Sequence, residues 1–382
     1  MTATVTTQPS EQAIAEVLRP GGEIASVYLG RPPSTADVEW DARWHALAGK
    51  LRRDGVADHV VDAIAHAVLR TSPVRAAAGA TELAAFAGAD GMLGLFPLPG
   101  LDHVDFARCC GPAHVVPLLA WLQQRPPYVL VVADRAGADF ETSVGGAQPP
   151  QRWSVSGPDD DIQRNTRKTP QQRRYLHRAE DSWRHNAAAV ARAAAHALER
   201  TGARLLIVAG DVRAVQLMRE RLPAWVYGTV DIRHIHGSRH ADGSQRTRAA
   251  AVAEASCSAA AETTSRLLSR FAEQRCHGGL AVDGEAATLT ALAQGRVAVL
   301  LVAPHVAAGR TAWFGAEPAQ VRPVGHRPPV EWARPAAGPL VDVAIRVALL
   351  TGAQVRVLAP GDPAALANRT LADGIGALCR FH

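Results

Sequence analysis

The stretch ARLLIVAGDV, residues 203–212, decides the fold. Its apolar run 205–209 predicts a short buried strand, and the Gly210-Asp211 pair predicts a tight turn into the helical pattern VRAVQLMRERL. Before it, residues 175–198 carry apolar side chains at helical spacing, and Gly202 stands where glycine commonly ends a helix. After it, a strand is expected around residues 226–235. This helix–strand–helix–strand order is typical of an α/β domain with a mainly parallel sheet.

Toward the amino terminus, the pattern changes to short strands and helices, which predicts a separate α+β domain over residues 1–145. The expected elements are a strand at 24–30, helices at 39–53 and 57–69, short apolar runs at 83–87 and 92–97, and a β-hairpin formed by YVLVVAD (128–134) and ADFETSV (138–144). Residues 145–170 are polar and rich in Gly, Pro, Gln and Asp, so an exposed loop is expected there.

Toward the carboxy terminus, a second long helix at 245–274 closes a middle domain over residues 146–275. Residues 276–382 repeat the alternation on a smaller scale, with helices at 285–294 and 340–350 and strands at 296–304, 354–360 and 375–381. The intervening stretch 309–339 predicts a long loop, mobile or ordered by a partner, whose Trp313, Phe314 and Trp332 either form an interface or pack back on the domain. The expected fold class is therefore α/β with three domains.

Composition limits the class of protein. The 382 residues are 47% hydrophobic and 20% charged with a net charge of +5, which fits a folded protein. The longest apolar runs reach about half of the roughly 20 residues of a membrane helix, and no signal peptide is recognised, so we expect a cytoplasmic protein without membrane contact. The five cysteines have no CxxC spacing, which favours reduced thiols. A metal site at His103, Cys109, Cys110 and His114 is the weaker alternative, and we expect no metal and no cofactor.

A basic segment precedes and enters the long helix: RNTRKTPQQRRYLHRAEDSW, residues 164–183. No acid lies between Asp161 and Glu180, and clustered Arg and Lys suit a phosphate backbone, while Tyr175 and His177 could stack on RNA bases. The alternative is a solvated charged surface paired with Glu180 and Asp181. The predicted rRNA-binding residues are Arg164, Arg167, Lys168, Gln171, Gln172, Arg173, Arg174, Tyr175, His177 and Arg178.

A second polar cluster lies in HIHGSRHADGS, residues 234–244. His234, His236, Arg239 and His240 are predicted additional RNA contacts, with a metal or hydrolase site and a plain surface loop as alternatives. Neither this stretch nor AGDV (209–212) has a GxGxxG or GxxxxGK pattern, so no nucleotide cofactor is expected.

Four blocks resemble the archaeo-eukaryotic peptide-chain release factor and Pelota family in its bacterial branch. They are QQRRYLHRAEDSW with the following helix and LLIVAGDV, ALAQGRVAVLLVAP (291–304), GPLVDVAIRVALLTGAQVRVLAP (338–360) and the terminal DGIGALCRF (373–381). The resemblance covers residues 165–382 and is to ribosome-hibernation factors of the Balon type from actinobacteria. It implies a release-factor-like middle domain and a small carboxy-terminal α/β domain like that of the ribosomal protein L7Ae.

The family's true release factors carry Gly-Gly-Gln at the tip of a loop that precedes the long helix. The matching tip here, residues 168–172, reads KTPQQ and has no glycine pair. Because Pro170 fixes φ and lacks an N–H, this tip lacks the backbone freedom that two glycines give. We therefore expect no catalytic residue and no enzymatic activity.

The resemblance implies a translation factor that occupies the A site of the 70S ribosome, inhibiting or protecting idle ribosomes under stress. Elongation factor Tu is the partner it suggests, and no DNA contact is expected. Two alternatives stay open: a peptidyl-tRNA hydrolase that rescues stalled ribosomes through Gln171 or Gln172, and a general RNA-binding regulator.

Overall fold

The computed structural model describes residues 9–30, 37–70, 82–98, 101, 105–146, 148–157, 170–239, 245–276, 278–359 and 371–382. The chain forms two compact units. Unit 1 joins residues 1–123 to residues 261–382, and unit 2 consists of residues 124–260.

The helices and strands follow one another in chain order. Residues 9–123 form α1 (Glu11–Leu18), β1 (Ile24–Leu29), α2 (Asp37–Arg53), α3 (Asp58–Arg70), β2 (Leu83–Gly88), β3 (Gly91–Pro97), β4 (Phe106–Cys110) and α4 (Val116–Gln123). Next come β5 (Tyr128–Ala133), β6 (Gly137–Ser143), β7 (Gln151–Ser156), α5 (Pro170–Thr201), β8 (Leu205–Gly210), α6 (Val212–Arg219), α7 (Ala224–Thr229), β9 (Asp231–His234) and α8 (Gln245–Cys276). The chain closes with β10 (Ala281–Asp283), α9 (Glu285–Ala293), β11 (Val297–Val302), β12 (Thr311–Phe314), β13 (Val321–Pro323), β14 (Ala336–Pro339), α10 (Leu340–Leu350), β15 (Gln354–Val357), a 3₁₀ turn (Ala372–Gly374) and β16 (Ile375–Cys379).

Unit 2 is built on a five-stranded sheet in the order β7-β6-β5-β8-β9. β8 pairs in parallel with both β5 and β9, whereas β6 pairs antiparallel with both β5 and β7. Alternate residues of β5 and β8 face opposite sides: Val131 and Val208 pack with α5 and α6, and Val132 and Ile207 pack with α8. Strands buried on both faces read as continuous apolar runs, which explains VLVV and LLIV in the sequence.

Several predicted elements of unit 2 are confirmed. The hairpin 128–144, the long helix ended by Gly202 at φ +65°, the strand after it and the second long helix are all present. The hairpin, however, lies in the same sheet as the middle-domain strands, because β5 pairs along its whole length with β8.

One prediction for unit 2 was wrong, and a second was correct only in part. The stretch 145–170, expected to be a loop, contains the edge strand β7, whose Trp153 stacks on Phe140 of β6 with ring centroids 4.0 Å apart. Such a strand is difficult to recognise in the sequence because only every second side chain packs against the protein, and the others are exposed and polar. The strand expected at 226–235 is the short helix α7 followed by β9.

The described residues of unit 1 form three sheets. The first is antiparallel with the order β3-β2-β1-β4, and the second has the order β10-β16-β11-β15. The third, β13-β12-β14, occupies the region 309–339 that the sequence predicted to be a long loop. That prediction was wrong because three short strands pair with one another there. Phe314 is buried, so it packs on the domain, and Trp332 is half-buried.

Buried charges on α10 join the two segments of unit 1. The Asp342 carboxylate, 2% exposed, accepts hydrogen bonds from Arg108 of β4 and from His114 Nδ1 at 2.9 Å. The buried Arg346 guanidinium donates to the carbonyl oxygens of Leu18 and Ala316, both at 3.1 Å. These contacts connect the two segments of unit 1. The three-domain division into 1–145, 146–275 and 276–382 stays a prediction.

Candidate nucleic-acid interface

The candidate site lies at one edge of the sheet of unit 2. Because β5, β8 and β9 run in parallel, their carboxyl ends at Ala133, Gly210 and His234 lie along the same edge. This is the edge at which open α/β sheets bind ligands.

The long helix α5 extends past this edge. The Asn186 side chain donates from Nδ2 to the Arg135 carbonyl oxygen at 3.0 Å, so Asn186 lies level with the end of β5. Sixteen residues, Pro170 to His185, come before it in the same helix. At 1.5 Å per residue they amount to about 24 Å of helix beyond the point of attachment.

This part of α5 carries most of the predicted RNA-binding residues, which are Gln171, Gln172, Arg173, Arg174, Tyr175, His177 and Arg178. Their backbone is helical, because α5 begins at Pro170. Proline is favoured at the first position of a helix. Arg164, Arg167 and Lys168, and His240 of the second cluster, lie outside the described residues. The RNA-binding roles of all these residues stay predictions.

Trp183 attaches α5 at the same level. Two guanidinium groups lie over its ring, Arg135 at 4.8 Å and Arg213 at 5.4 Å from the ring centroid. In such cation–π contacts, the positive charge is attracted to the face of the aromatic ring, which stabilises the position of the helix. Arg135 lies in the turn after β5, and Arg213 lies in the first turn of α6, which follows β8. The carboxyl edge of the sheet therefore fixes the point from which α5 projects.

Asp211 starts α6 as its N-cap, as the sequence indicated. Its Oδ1 accepts hydrogen bonds from the backbone N–H groups of Arg213 at 2.9 Å and Ala214 at 3.0 Å. The chain's own carboxylate therefore occupies the place at which a helix start can bind an external anion.

The structure divides the second predicted cluster into two places. Arg239 donates to Asp134 at 2.8 Å and to Asp139 at 3.0 Å, which ties it to the β5–β6 hairpin. His234 and His236 instead line a groove next to α6 and α7. The RNA contacts predicted for these residues remain predictions.

The contact with Arg219 indicates a neutral His234 ring. Burial, and then the charge of Arg219, lower the pKa of His234 below its usual value. Arg219 Nη1 lies 2.9 Å from His234 Nε2. Since a guanidinium can only donate, Nε2 accepts and the proton is on Nδ1.

Sequence reasoning missed Arg219, Tyr227 and Val212, which line the groove together with the two histidines. Tyr227 lies on α7, a helix that the sequence pattern did not reveal. No residue spacing links it to Arg219, because the contact depends on how α6 and α7 fold back on β9.

The metal alternatives have no support in the described part of the chain, where no group of three His, Cys, Asp or Glu side chains is placed to hold an ion. Cys109 packs with the core on one face of β4, and His114 is engaged by Asp342. His103 lies outside the described residues. No helix in the described ranges is long and apolar enough to cross a membrane.

Comparison with known proteins identifies the class of the central segment. Residues 127–277 match the model of bacterial archaeo-eukaryotic release factor family 2, which confirms over this segment the resemblance seen in the sequence blocks. No curated protein matches the chain.

Three solved structures are similar at low identity. Archaeoglobus fulgidus Pelota is 16% identical over 68% of this chain and 65% of its own, with a TM-score of 0.33. Dom34 of S. cerevisiae, described as a translation termination-like factor, is 12% identical over 73% of this chain and 70% of its own, with a TM-score of 0.38. Ribosome-bound archaeal Pelota is 12% identical over 99% of this chain and 96% of its own, with a TM-score of 0.40.

Proposed function

We propose that this protein is a ribosome-binding translation factor of the release-factor type that does not hydrolyse peptidyl-tRNA. It would occupy the A site of idle 70S ribosomes through rRNA contacts made by the start of α5, inhibiting or protecting them under stress. The observation that carries this proposal is the family match over residues 127–277, which includes the whole sheet of unit 2 and α5.

The projecting part of α5 supports contact with RNA. Arg173, Arg174 and Arg178 lie in the helix about 24 Å or less beyond the attachment at Asn186, on a segment with no acid before Glu180. A cationic helix that extends from a folded body can reach into a phosphate-lined cavity, where each contact releases counterions.

The start of α5 argues against catalysis. Gln171 and Gln172 are part of the helical backbone that begins at Pro170, and no glycine pair precedes them. A helical backbone cannot take up the extended approach to an ester that the Gly-Gly pair of true release factors would allow. The rescue-hydrolase alternative would need that approach.

The finer parts of the proposal follow from the resemblance to Balon-type hibernation factors. These are the hibernation role under stress, the A-site position and elongation factor Tu as a partner. A cytoplasmic location and the absence of a cofactor belong to the same proposal.

A double substitution tests the α5 contact. Arg173→Ala/Arg174→Ala should weaken binding to vacant 70S ribosomes by roughly tenfold or more and reduce the slope of log affinity against log salt by about two, one unit for each phosphate contact. The matched control is Arg192→Ala/Arg200→Ala, which removes the same charge from exposed positions further along α5. Equal affinities for the parent and the Arg173/Arg174 variant would show that this part of α5 does not bind the ribosome.

A peptide-release assay tests the absence of hydrolysis. Stalled 70S complexes with labelled peptidyl-tRNA should keep their peptide when the purified protein is added at saturating concentration. Release above the rate without protein, abolished by Gln171→Ala or Gln172→Ala, would establish the hydrolase instead.

A further inference from the structure

A groove lies at the carboxyl ends of β8 and β9 and has no role in the contacts described for α5. We call it the Tyr227 groove; its lining includes Val212, Val215, Arg219, Tyr227, His234 and His236. The residues come from α6, α7 and the end of β9, so all of them belong to unit 2.

The groove exposes unusual apolar area. The Val212 side chain is 84% exposed and Tyr227 is 50% exposed, two of only seven large hydrophobic residues that are exposed in the described part of the chain. The buried Val215 is also part of the lining. The Tyr227 hydroxyl donates to the Arg219 carbonyl oxygen, which fixes one end of the ring while half of the side chain stays exposed.

The groove also holds a positive charge without a carboxylate partner. Arg219 contacts the neutral His234 ring at 2.9 Å, and no acid of the described residues forms an ion pair with it. The one acid in the lining, Glu220, accepts a hydrogen bond from Gln216 at 3.1 Å. By contrast, Arg233 and Arg239 are both paired with aspartates within unit 2. A ligand with an aromatic ring and an anionic group would complement this arrangement.

We propose that the Tyr227 groove binds a single unstacked nucleotide of an RNA strand, with the base against Tyr227 and Val212 and a phosphate at Arg219 and His236. Single-stranded RNA is commonly recognised through bases stacked on aromatic side chains next to a cationic path for the backbone. A duplex keeps its bases stacked and cannot insert one. The inference rests on the proposed function, since it assumes that unit 2 works against RNA.

Short RNA provides the test without the ribosome. Fluorescence anisotropy would measure the affinity of the full chain for labelled octauridine and for a duplex of equal length. Tyr227→Ala should lower octauridine affinity on the order of tenfold, as expected for loss of one stacked base, and leave duplex affinity unchanged. Tyr227→Phe keeps the ring and should restore binding. Arg219→Gln should weaken octauridine binding and reduce its salt dependence.

Val144→Ala is the matched control, because Val144 is also 50% exposed in unit 2 but lies outside the groove. Thermal unfolding of each variant checks whether the fold is kept. Equal octauridine affinity for the parent and Tyr227→Ala, or an equal loss for octauridine and duplex, would overturn the inference. Full displacement of octauridine by millimolar uridine monophosphate would also overturn it, since the site would then be one for free nucleotides.

The two proposals can fail separately. Octauridine binding that depends on Tyr227 in a protein that does not pellet with 70S ribosomes would remove the ribosome proposal and keep the groove. Ribosome binding that depends on Arg173 and Arg174, with no octauridine binding, would do the reverse.

Discussion

At the scale of single residues, partners decide which charges of unit 2 are available to a ligand. Arg135, Arg152, Arg233 and Arg239 each have a carboxylate within 4 Å, whereas Arg219 faces a histidine. Exposed ion pairs contribute little to stability, so these contacts matter more for the local potential than for folding.

The Arg219–His234 contact makes a prediction for pH. Burial and Arg219 both lower the pKa of His234, so Arg219→Gln should raise it toward the usual value of about 6.5. Because the folded pKa lies below the unfolded one, the His234 contribution to stability is present above about pH 6.5 and lost as pH falls through the folded pKa. An NMR titration of the imidazole signals checks this. Arg221→Gln is the control, and an unchanged His234 pKa in Arg219→Gln would contradict the account.

The five cysteines should fall into two groups of reactivity. Cys257 and Cys276 are exposed, whereas burial, followed by the charge of Glu23, raises the pKa of Cys109 to about 11. Burial also raises the pKa of Cys110 and Cys379. Since the thiolate is the nucleophile, Ellman's reagent at pH 8 should modify two thiols fast and three slowly. Five equally fast thiols would contradict the packing of β4 and β16.

At the scale of elements, the link between β5 and β8 depends on Gly210. Its φ is +114°, and a Cβ there would lie 1.9 Å from the Ala133 carbonyl oxygen. Any other residue at position 210 would place its Cβ against β5, so β5 and β8 could not keep their register there.

Gly210→Ala should therefore destabilise unit 2 more than Gly202→Ala does. Gly202 also has a positive φ, at +65°, but open space surrounds its Cβ position, so only the conformational cost of about 1–2 kcal/mol applies. Urea unfolding of the two variants measures the difference. A Gly210→Ala variant as stable as Gly202→Ala would show that the β5–β8 edge tolerates a side chain.

The elements that the sequence predicted and those it missed differ in their physical origin. The sequence predicted four elements of unit 2, which are α5, β8, α8 and the hairpin. In each of them, the spacing of the apolar residues indicates which faces are buried. β7 and the three short strands of the 309–339 region were missed because pairing with a neighbouring strand, rather than their own pattern, makes them strands.

The candidate site was predictable only in part. Its basic residues stand next to one another in the sequence, so the segment 164–178 was evident. Arg219 and Tyr227 meet through the fold of α6, α7 and β9, and Trp183 meets Arg135 and Arg213 across the sheet edge. The contacts of Trp183 join residues far apart in the chain, and the Arg219–Tyr227 contact depends on a helix that the sequence pattern did not reveal, so neither leaves a local signal.

At the scale of the whole molecule, unit 1 depends on a few buried charges that connect segments distant in the chain. Asp342 of α10 binds Arg108 and His114, more than two hundred positions earlier. Removing one partner of a buried pair leaves the other charge uncompensated.

Asp342→Asn should accordingly lower the free energy of unfolding of unit 1 by about 2–4 kcal/mol. This is below the usual loss of roughly 3–5 kcal/mol for a buried pair because the Arg108 side chain is 32% exposed. The control Glu16→Gln breaks an ion pair with Arg19 in which both side chains are about half exposed or more, and should cost under about 1 kcal/mol. Urea unfolding compares them, and equal losses would mean that Asp342 does not hold the two segments together.

Binding of this molecule to ribosomes is tested most directly by co-sedimentation with vacant 70S ribosomes through a sucrose cushion across a salt series. Naked rRNA fragments serve as the competitor. We expect pelleting that persists near physiological salt and resists the competitor. Binding that disappears at that salt, or that follows any RNA equally, would contradict this expectation and identify a general RNA-binding protein.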